Sequence, residues 1–262
     1  MMKIRLRAGT PEMYGNFASV YDRLMKDVGY KSWAAHYARL LSLAGIGEGA
    51  VVMEAACGTG GLSLYLAERY NLLPSDLSQE MLSRAALKAR DKGLDLTFLC
   101  QDMRFISVPR PVDALVCGCD GVNYLLTPGD LSRFLHAANR ALRPGGALAF
   151  DISSFHKLSR VLGSAPQLLN EDDISYIWLN DWRERSRRLH MQVTVFLRRE
   201  DNTWERIDET QTQRAWTREE IEKALIEQGF GQVRCFGGKG FEKHTPMAER
   251  LHFLAVKQQE ER

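Results

Sequence analysis

The 262-residue chain has almost no charge imbalance, no long apolar run and few cysteines, and each shortage removes a class of function. Its 35 basic and 33 acidic residues leave a formal net charge of +2. That balance gives no general attraction to nucleic acid or to an anionic membrane surface. No apolar run is long enough to cross a bilayer, and the opening MMKIRLRAGTPEMYG lacks the apolar stretch of a secretory signal. The expectation is a cytoplasmic protein with no nucleic-acid and no membrane partner, monomeric or homodimeric. Five cysteines, Cys57, Cys100, Cys117, Cys119 and Cys235, are an odd number, and four of them end or lie in apolar, strand-like runs. They read as buried free thiols. Cys117 and Cys119 make a C-x-C pair, but no second Cys/His pair stands at ligand spacing, so no metal is expected. There is no repeat and no phosphate-binding G-x-x-x-x-G-K-[ST] loop; GGKGF near the C-terminus has the wrong context.

Strand and helix signals alternate through the first 151 residues. Residues 14–43 carry apolar positions at helical spacing. GAVVMEA, NLLPSD, LDLTFLC, VDALVCGC and ALAFDI read as strands; LSLYLAERY, SQEMLSRAALKARDKG and PGDLSRFLHAANRALRPGG read as helices between them. Short strands apolar on both faces and separated by helices predict a parallel sheet covered on both sides. After Asp151 the pattern changes. SYIWLNDW, RLHMQVTVFLRR and TWERIDETQTQR alternate as strands do, with polar breaks between them, and predict a three-stranded antiparallel unit rich in aromatics. TREEIEKALIEQGF is a helix with a capping box from Thr217 to Glu220, and two further strands follow it. The predicted fold is α/β: a Rossmann-like, doubly wound, seven-stranded sheet formed by residues 1–152 and 214–262, with residues 153–213 as an inserted β lid.

Ligands of such sheets bind outside the carboxyl ends of the strands. Here those ends carry Glu54 with GTGG, then Asp76, then Gln101, Asp102 and Met103, then Cys119, Asp120 and Asn123, then Asp151. A dinucleotide loop wants G-x-G-x-x-G, but Ser63 stands at the third glycine position. Glu54 is also a poor neighbour for a phosphate. The turn therefore suits a ligand without phosphate that presents a cationic or hydrogen-bond-donating group.

VVMEAACGTGG, SDLSQEML, CQDM, DALVCGCDGVNYLL and RALRPGGALAFD together resemble, in order and spacing, the motifs of class I S-adenosylmethionine-dependent methyltransferases of the small-molecule type, a group that includes uncharacterised bacterial proteins and sugar N-methyltransferases. The resemblance runs from about Met13 to Asp151. It implies S-adenosyl-L-methionine as cofactor and a contact set of Tyr14, Trp33, Glu54, Ala55, Ala56, Gly58, Gly60, Asp76, Leu77, Met81, Gln101, Asp102, Met103 and Cys119. Asp76 would accept the ribose hydroxyls, Asp102 the adenine amino group, and Glu54 would order the loop and orient the ammonium side. YGNFASVYD resembles the segment that closes over the cofactor, with Tyr14, Phe17, Tyr21 and Trp33 as its aromatics. Ala56 departs from a common glycine, which is tolerable unless the position needs positive φ.

The methyl acceptor is expected to be a small molecule reacting at N or O. CDGVN stands where methyltransferases of planar amide or base nitrogens carry N-P-P-[YF]. The catalytic residues are not assigned; Asp120, Tyr124, His190 and Glu209 are the candidate bases. Two other readings stay open: a non-catalytic S-adenosylmethionine-binding sensor or assembly module, and an NAD(P)-dependent oxidoreductase.

Overall fold

The computed structural model describes residues 17–163, 165–238 and 241–259. In chain order, helices Ala18–Leu24 (α1) and Tyr30–Leu43 (α2) precede an alternating run. It consists of Val51–Ala55 (β1), Ser63–Leu66 (α3), Asn71–Asp76 (β2), Gln79–Asp91 (α4), Leu99–Cys100 (β3), Val112–Cys117 (β4), Pro128–Ala141 (α5) and Leu142–Ser153 (β5). A π-helical turn at Lys157–Leu162 leads to four consecutive strands: Gln167–Asn170 (β6), Ile174–Arg183 (β7), Arg188–Arg198 (β8) and Trp204–Arg214 (β9). Helix Arg218–Glu227 (α6) and strands Phe230–Gly237 (β10) and Arg250–Lys257 (β11) follow.

Seven strands form one sheet in the order β10-β11-β5-β4-β1-β2-β3. The central strands run parallel, and β11 is antiparallel to both β5 and β10. The chain moves outward from β1 to β2 and β3, then returns to place β4 on the other side of β1. The order therefore reverses between β1 and β4, where a ligand crevice opens in such sheets. Alternate residues of each central strand enter opposite cores. Met53, Leu115, Leu148 and Phe150 pack with Phe134, Leu135 and Leu225 on the α5 and α6 side. Val52, Ala114, Val116, Ala147 and Ala149 pack with Tyr37, Leu40, Leu41 and Leu66 on the α2 and α3 side. This two-sided burial is why the strands read as unbroken apolar runs.

The remaining strands form a separate antiparallel sheet, β6-β7-β8-β9. It has four strands where the sequence pattern indicated three. The extra one pairs Gln167–Asn170 with residues 175–178, and QLLN is too short for its alternation to stand out. Three other expectations are also refined. Residues 14–43 do not form one helix: α1 ends at Leu24, and α2 restarts after Gly29, whose carbonyl accepts from Ser32 Oγ (2.8 Å) and the Trp33 N–H (3.1 Å). LDLTFLC contributes only Leu99–Cys100 to the sheet because it lies at the edge, where short strands are favoured. Cys100 on that edge is exposed, whereas Cys57 and Cys117 are buried as expected.

Helix α1 packs its apolar side on the second sheet. Phe17 and Val20 enter a cluster with Ile174, Val193, Val195 and Ile207. Arg23–Asp173 (2.6 Å) and Lys26–Glu171 (2.8 Å) tie this helix and the turn after it to the residues just before β7. These pairs are exposed and contribute little beside the apolar contact.

The layered packing predicts where stability resides. Phe150 is fully buried and stacks on Phe253 (centroids 5.1 Å apart). Phe150→Ala should lower the unfolding free energy in urea by about 3–5 kcal/mol. Leu168→Ala, on the exposed face of β6, should change it by less than about 0.5 kcal/mol.

Candidate active site

A cavity opens at the carboxyl ends of β1, β2 and β4, with about 980 Å³ of atom-free space including its mouth. It is lined from one side by Glu54, Ala56, Cys57, Gly58 and Thr59, and from the next strand end by Asp76, Leu77 and Met81. Gln101, Asp102, Met103, Cys119 and Tyr124 close the far side. Among the described residues, three carboxylates line it, and no lysine, arginine or histidine does.

The loop after β1 makes a close approach possible. Ala56, Gly58 and Gly60 all adopt positive φ, at 55°, 55° and 75°. Alanine in the left-handed region costs roughly 1–2 kcal/mol, so the departure at Ala56 falls on a position that does need positive φ. A Cβ on Gly58 would meet nothing within 4 Å, so its bare backbone faces the cavity. Gly60 does not line the cavity. A Cβ there would lie 3.0 Å from the Ala85 Cβ, and its role is close packing against α4. Ala55 is wholly buried behind the loop.

Two carboxylates hold this loop. Asp76 accepts the Gly58 N–H (2.8 Å) and the Ser78 N–H (2.9 Å), and burial raises its pKa. Glu54 is 2% exposed. Burial pushes it up to about 8, and the nearby Asp76 charge adds to that, while the Ser63 hydroxyl, donating at 2.5 Å, works the other way. The serine at the third glycine position is thus the partner of the misplaced carboxylate. Thr59 donates to Asp22 of α1 (2.6 Å), which also receives Lys88 of α4 (2.7 Å).

At the third strand end, both oxygens of Asp102 already accept from Arg104, at 2.5–3.0 Å. Burial opposes ionisation there, but the Arg104 hydrogen bonds prevail and hold the Asp102 pKa below its ordinary value. Gln101 takes the Ser107 N–H on Oε1 (3.1 Å), and its Nε2 is buried with no acceptor. Such an orphaned donor inside a cavity marks a place for a ligand acceptor.

At the fourth end, Cys119 and Asp120 are consecutive residues with positive φ, 55° and 69°. Asp151, fully buried at the end of β5, holds them. It accepts the N–H groups of Cys119 (2.8 Å) and Asp120 (3.2 Å) and the Tyr37 hydroxyl (2.6 Å). Arg250 bridges Asp151 and Asp120. Burial works to raise the Asp120 pKa, but Arg250 and Lys157 outweigh it and keep the group ionised. An acid committed to an arginine, and outside the cavity lining, is a poor base, so Asp120 leaves the candidates. Trp33 is also corrected: it is buried, does not line the cavity, and lies over Arg250 (5.0 Å from guanidinium to ring centre). Tyr14 lies outside the described residues. Tyr21 and Tyr30 do line the cavity. Tyr30 escaped sequence reading because its position depends on the break at Gly29.

The second sheet meets the cavity through Tyr124, whose hydroxyl donates to Gln211 on β9 (2.8 Å). Its inward rows are Trp178–Val193–Glu209 and Asn180–Met191–Gln211. His190 falls on the opposite face, bonded through Nδ1 to Thr212 Oγ1 (3.0 Å). Alternation beside the buried Met191 and Val193 turns it away from the cavity, so it too leaves the candidates. Among the described residues, no group of three or more His, Cys, Asp or Glu is placed to hold a metal ion. No helix of the described residues is long and apolar enough to cross a membrane.

Residues 52–146 match the family model described as Methyltransferase domain. YqeM of Bacillus subtilis (strain 168), a methyltransferase by its name, is 34% identical over 94% of this chain and 97% of its own length. An S-adenosylmethionine-dependent methyltransferase from Clostridium acetobutylicum ATCC 824 is 31% identical. Its crystal structure superposes with a TM-score of 0.84 over 94% of this chain and 99% of that one. The sugar N-methyltransferase KedS8 from Streptoalloteichus sp ATCC 53650 shares the fold at 17% identity, with a TM-score of 0.78 over 99% and 100% of the two chains.

Two predictions follow from the charges. The free Glu54 carboxyl loses its proton near its ordinary value of 4.5 when unfolded and only near 8 when folded. The stability it lends is complete below 4.5 and is lost as pH rises through 8. Without ligand, the melting temperature of Glu54→Gln relative to wild type should therefore climb by about 4 °C or more from about pH 5 to about pH 8.5. Arg250→Met strands the fully buried Asp151 and the half-buried Asp120, and should cost about 3–5 kcal/mol in urea unfolding at neutral pH.

Proposed function

The chain belongs to the S-adenosylmethionine-dependent methyltransferases, and we propose that it methylates a nitrogen or oxygen of a small molecule held beneath the second sheet. The observation that carries the cofactor side is the cavity's charge: among the described residues, three carboxylates and no basic side chain at a glycine turn. Phosphate would be repelled there, which sets the dinucleotide oxidoreductase reading aside. S-adenosylmethionine carries no phosphate and presents a sulfonium and an ammonium, and it supplies an electrophilic methyl group when bound. Glu54 and the Gly58 backbone are proposed to hold its amino-acid end and Asp76 its ribose hydroxyls. Leu77, Met81, Met103 and Cys119 would border the rest. Gln101 Nε2 supplies a donor that has no partner in the protein. Asp102, turned to Arg104, would serve the base through shared lone pairs.

Residues 153–213 are proposed to act as a lid on a cofactor-binding domain formed by residues 1–152 and 214–262. The support is the Tyr124–Gln211 bond and the inner face of the second sheet. On that face the Trp178 Nε1 and both amide atoms of Asn180 are buried without partners. Each such group costs about 1–3 kcal/mol, a cost an acceptor with its own donors and acceptors would offset. The face carries Glu209 but no lysine or arginine in the rows described above, which favours a neutral or amine-bearing acceptor. With Asp120 and His190 removed, Tyr124 and Glu209 are the candidate bases that remain on the inner side. A neutral amine would need only alignment and exclusion of water.

Calorimetry should show S-adenosylmethionine binding that Asp76→Ala weakens at least about tenfold. A screen of cell-extract small molecules with methyl-labelled cofactor should yield a labelled product, and Asn180→Ala should raise the KM for that acceptor. Cofactor binding without any labelled product would favour the sensor reading instead.

A further inference from the structure

Beyond the cofactor cavity, a second hollow of about 730 Å³ including its mouth lies between the π-helical turn, the start of α6 and the loop before β11. Among the described residues, it shares no lining residue with the first. Its walls carry His156, Arg160, Trp216, Arg218 and His244, with Glu219 as the acidic member. Trp216 is 2% exposed, and its indole Nε1 is buried with no acceptor. An indole N–H can only donate, so this orphan calls for an electron-rich partner.

Three further features point the same way. Arg160 and Arg218 come from different elements and converge on the hollow. Arg218 gives its Nε–H to Glu222 (2.7 Å), and a guanidinium retains other N–H groups after one such bond. The capping box of α6 uses the N–H groups of Thr217 and Glu220. The two residues between them lie in the first turn, where a helix supplies no acceptors and favours anions. The 10-residue length of α6 is enough for that preference to develop. Glu219 opposes an anion, which limits the affinity but leaves the donors in the majority.

We propose that this hollow is a binding site for the phosphate group of a small phosphorylated molecule, held by Arg160, Arg218 and the Trp216 indole. Several donors approaching from the π-helical turn, the β9–α6 connection and the start of α6 suit a tetrahedral anion better than a planar carboxylate. The proposal does not rest on methyl transfer.

The test is thermal unfolding and calorimetric titration with inorganic phosphate at constant ionic strength, balanced with chloride. The wild-type protein should show a saturable rise in melting temperature. Arg160→Gln and Arg218→Gln should each weaken the apparent phosphate affinity at least about tenfold. Trp216→Phe should weaken it less. Arg160 is exposed, and its variant keeps the fold, checked by circular dichroism. A non-saturating rise, or the same midpoint in wild type and both arginine variants, would overturn the proposal. Failure of S-adenosylmethionine binding would leave the phosphate result untouched, because the two cavities are lined by different residues.

Discussion

A half-buried arginine set between two carboxylates is the interaction on which the ligand-binding end of this molecule depends. Arg250 begins β11, Asp151 lies near the end of β5, and Asp120 follows β4. Three neighbouring strands thereby meet at one guanidinium, and Tyr37 of α2 adds its hydroxyl to Asp151. Charges taken out of water at this depth are costly unless paired and fully hydrogen-bonded. Asp151 meets that condition with two backbone N–H groups, a phenol and the arginine. The two N–H groups belong to Cys119 and Asp120, consecutive residues in the left-handed region. Without the carboxylate beneath them, nothing would offset that conformation, and the wall of the cavity at Cys119 would relax. A buried ion cluster here specifies backbone shape.

The opposite wall of the same cavity is built on the reverse principle. Glu54 is buried and Asp76 half-buried, but the groups that hold them are a serine hydroxyl and backbone amides, with no arginine or lysine among them. The consequence is a raised proton affinity at both positions, led by burial in each case. The strand ends therefore present acids paired to an arginine on the β4–β5 side and acids with no cationic partner among the described residues on the β1–β2 side. On the proposed reading, the second set selects the ligand. A cation entering beside Glu54 would supply the charge that the protein withholds, whereas a phosphate would add to the repulsion. The glycine turn alone could not have made that distinction.

Much of this was legible in the sequence because it is local. The alternation of apolar strands and helices, the capping box at Thr217 and Glu220, and the carboxylates at successive strand ends each occupy a few neighbouring residues. The assignments that changed depended on long-range geometry. Trp33 reads as a cavity aromatic until Arg250, more than two hundred residues away, is found beneath its ring. His190 sits on an alternating strand, and which of the two faces turns inward is settled only by what packs there, namely Met191 and Val193. Asp120 looks like a free acid when its partner arginine lies on a distant strand. Ser63 looks like a defect in a glycine motif until its hydroxyl is seen on Glu54. In each case the residue type was visible and its partner was not.

Helix α1 links the two halves of this arrangement. Asp22 on one side of it receives Thr59 from the glycine turn and Lys88 from α4, while Phe17 and Val20 on another side enter the core of the second sheet. Tyr21, from the same helix, lines the cavity. The turn that approaches the ligand is therefore mechanically continuous with the sheet whose inner face carries Trp178, Asn180 and Glu209. The Thr59–Asp22–Lys88 contacts are short and partly shielded, and the apolar cluster beyond them is buried. A ligand that held the glycine turn would therefore bear on α1, and through it on the face proposed to receive a methyl acceptor. This gives a physical reason for donor and acceptor sites to form together, although their residues lie more than a hundred positions apart in the chain.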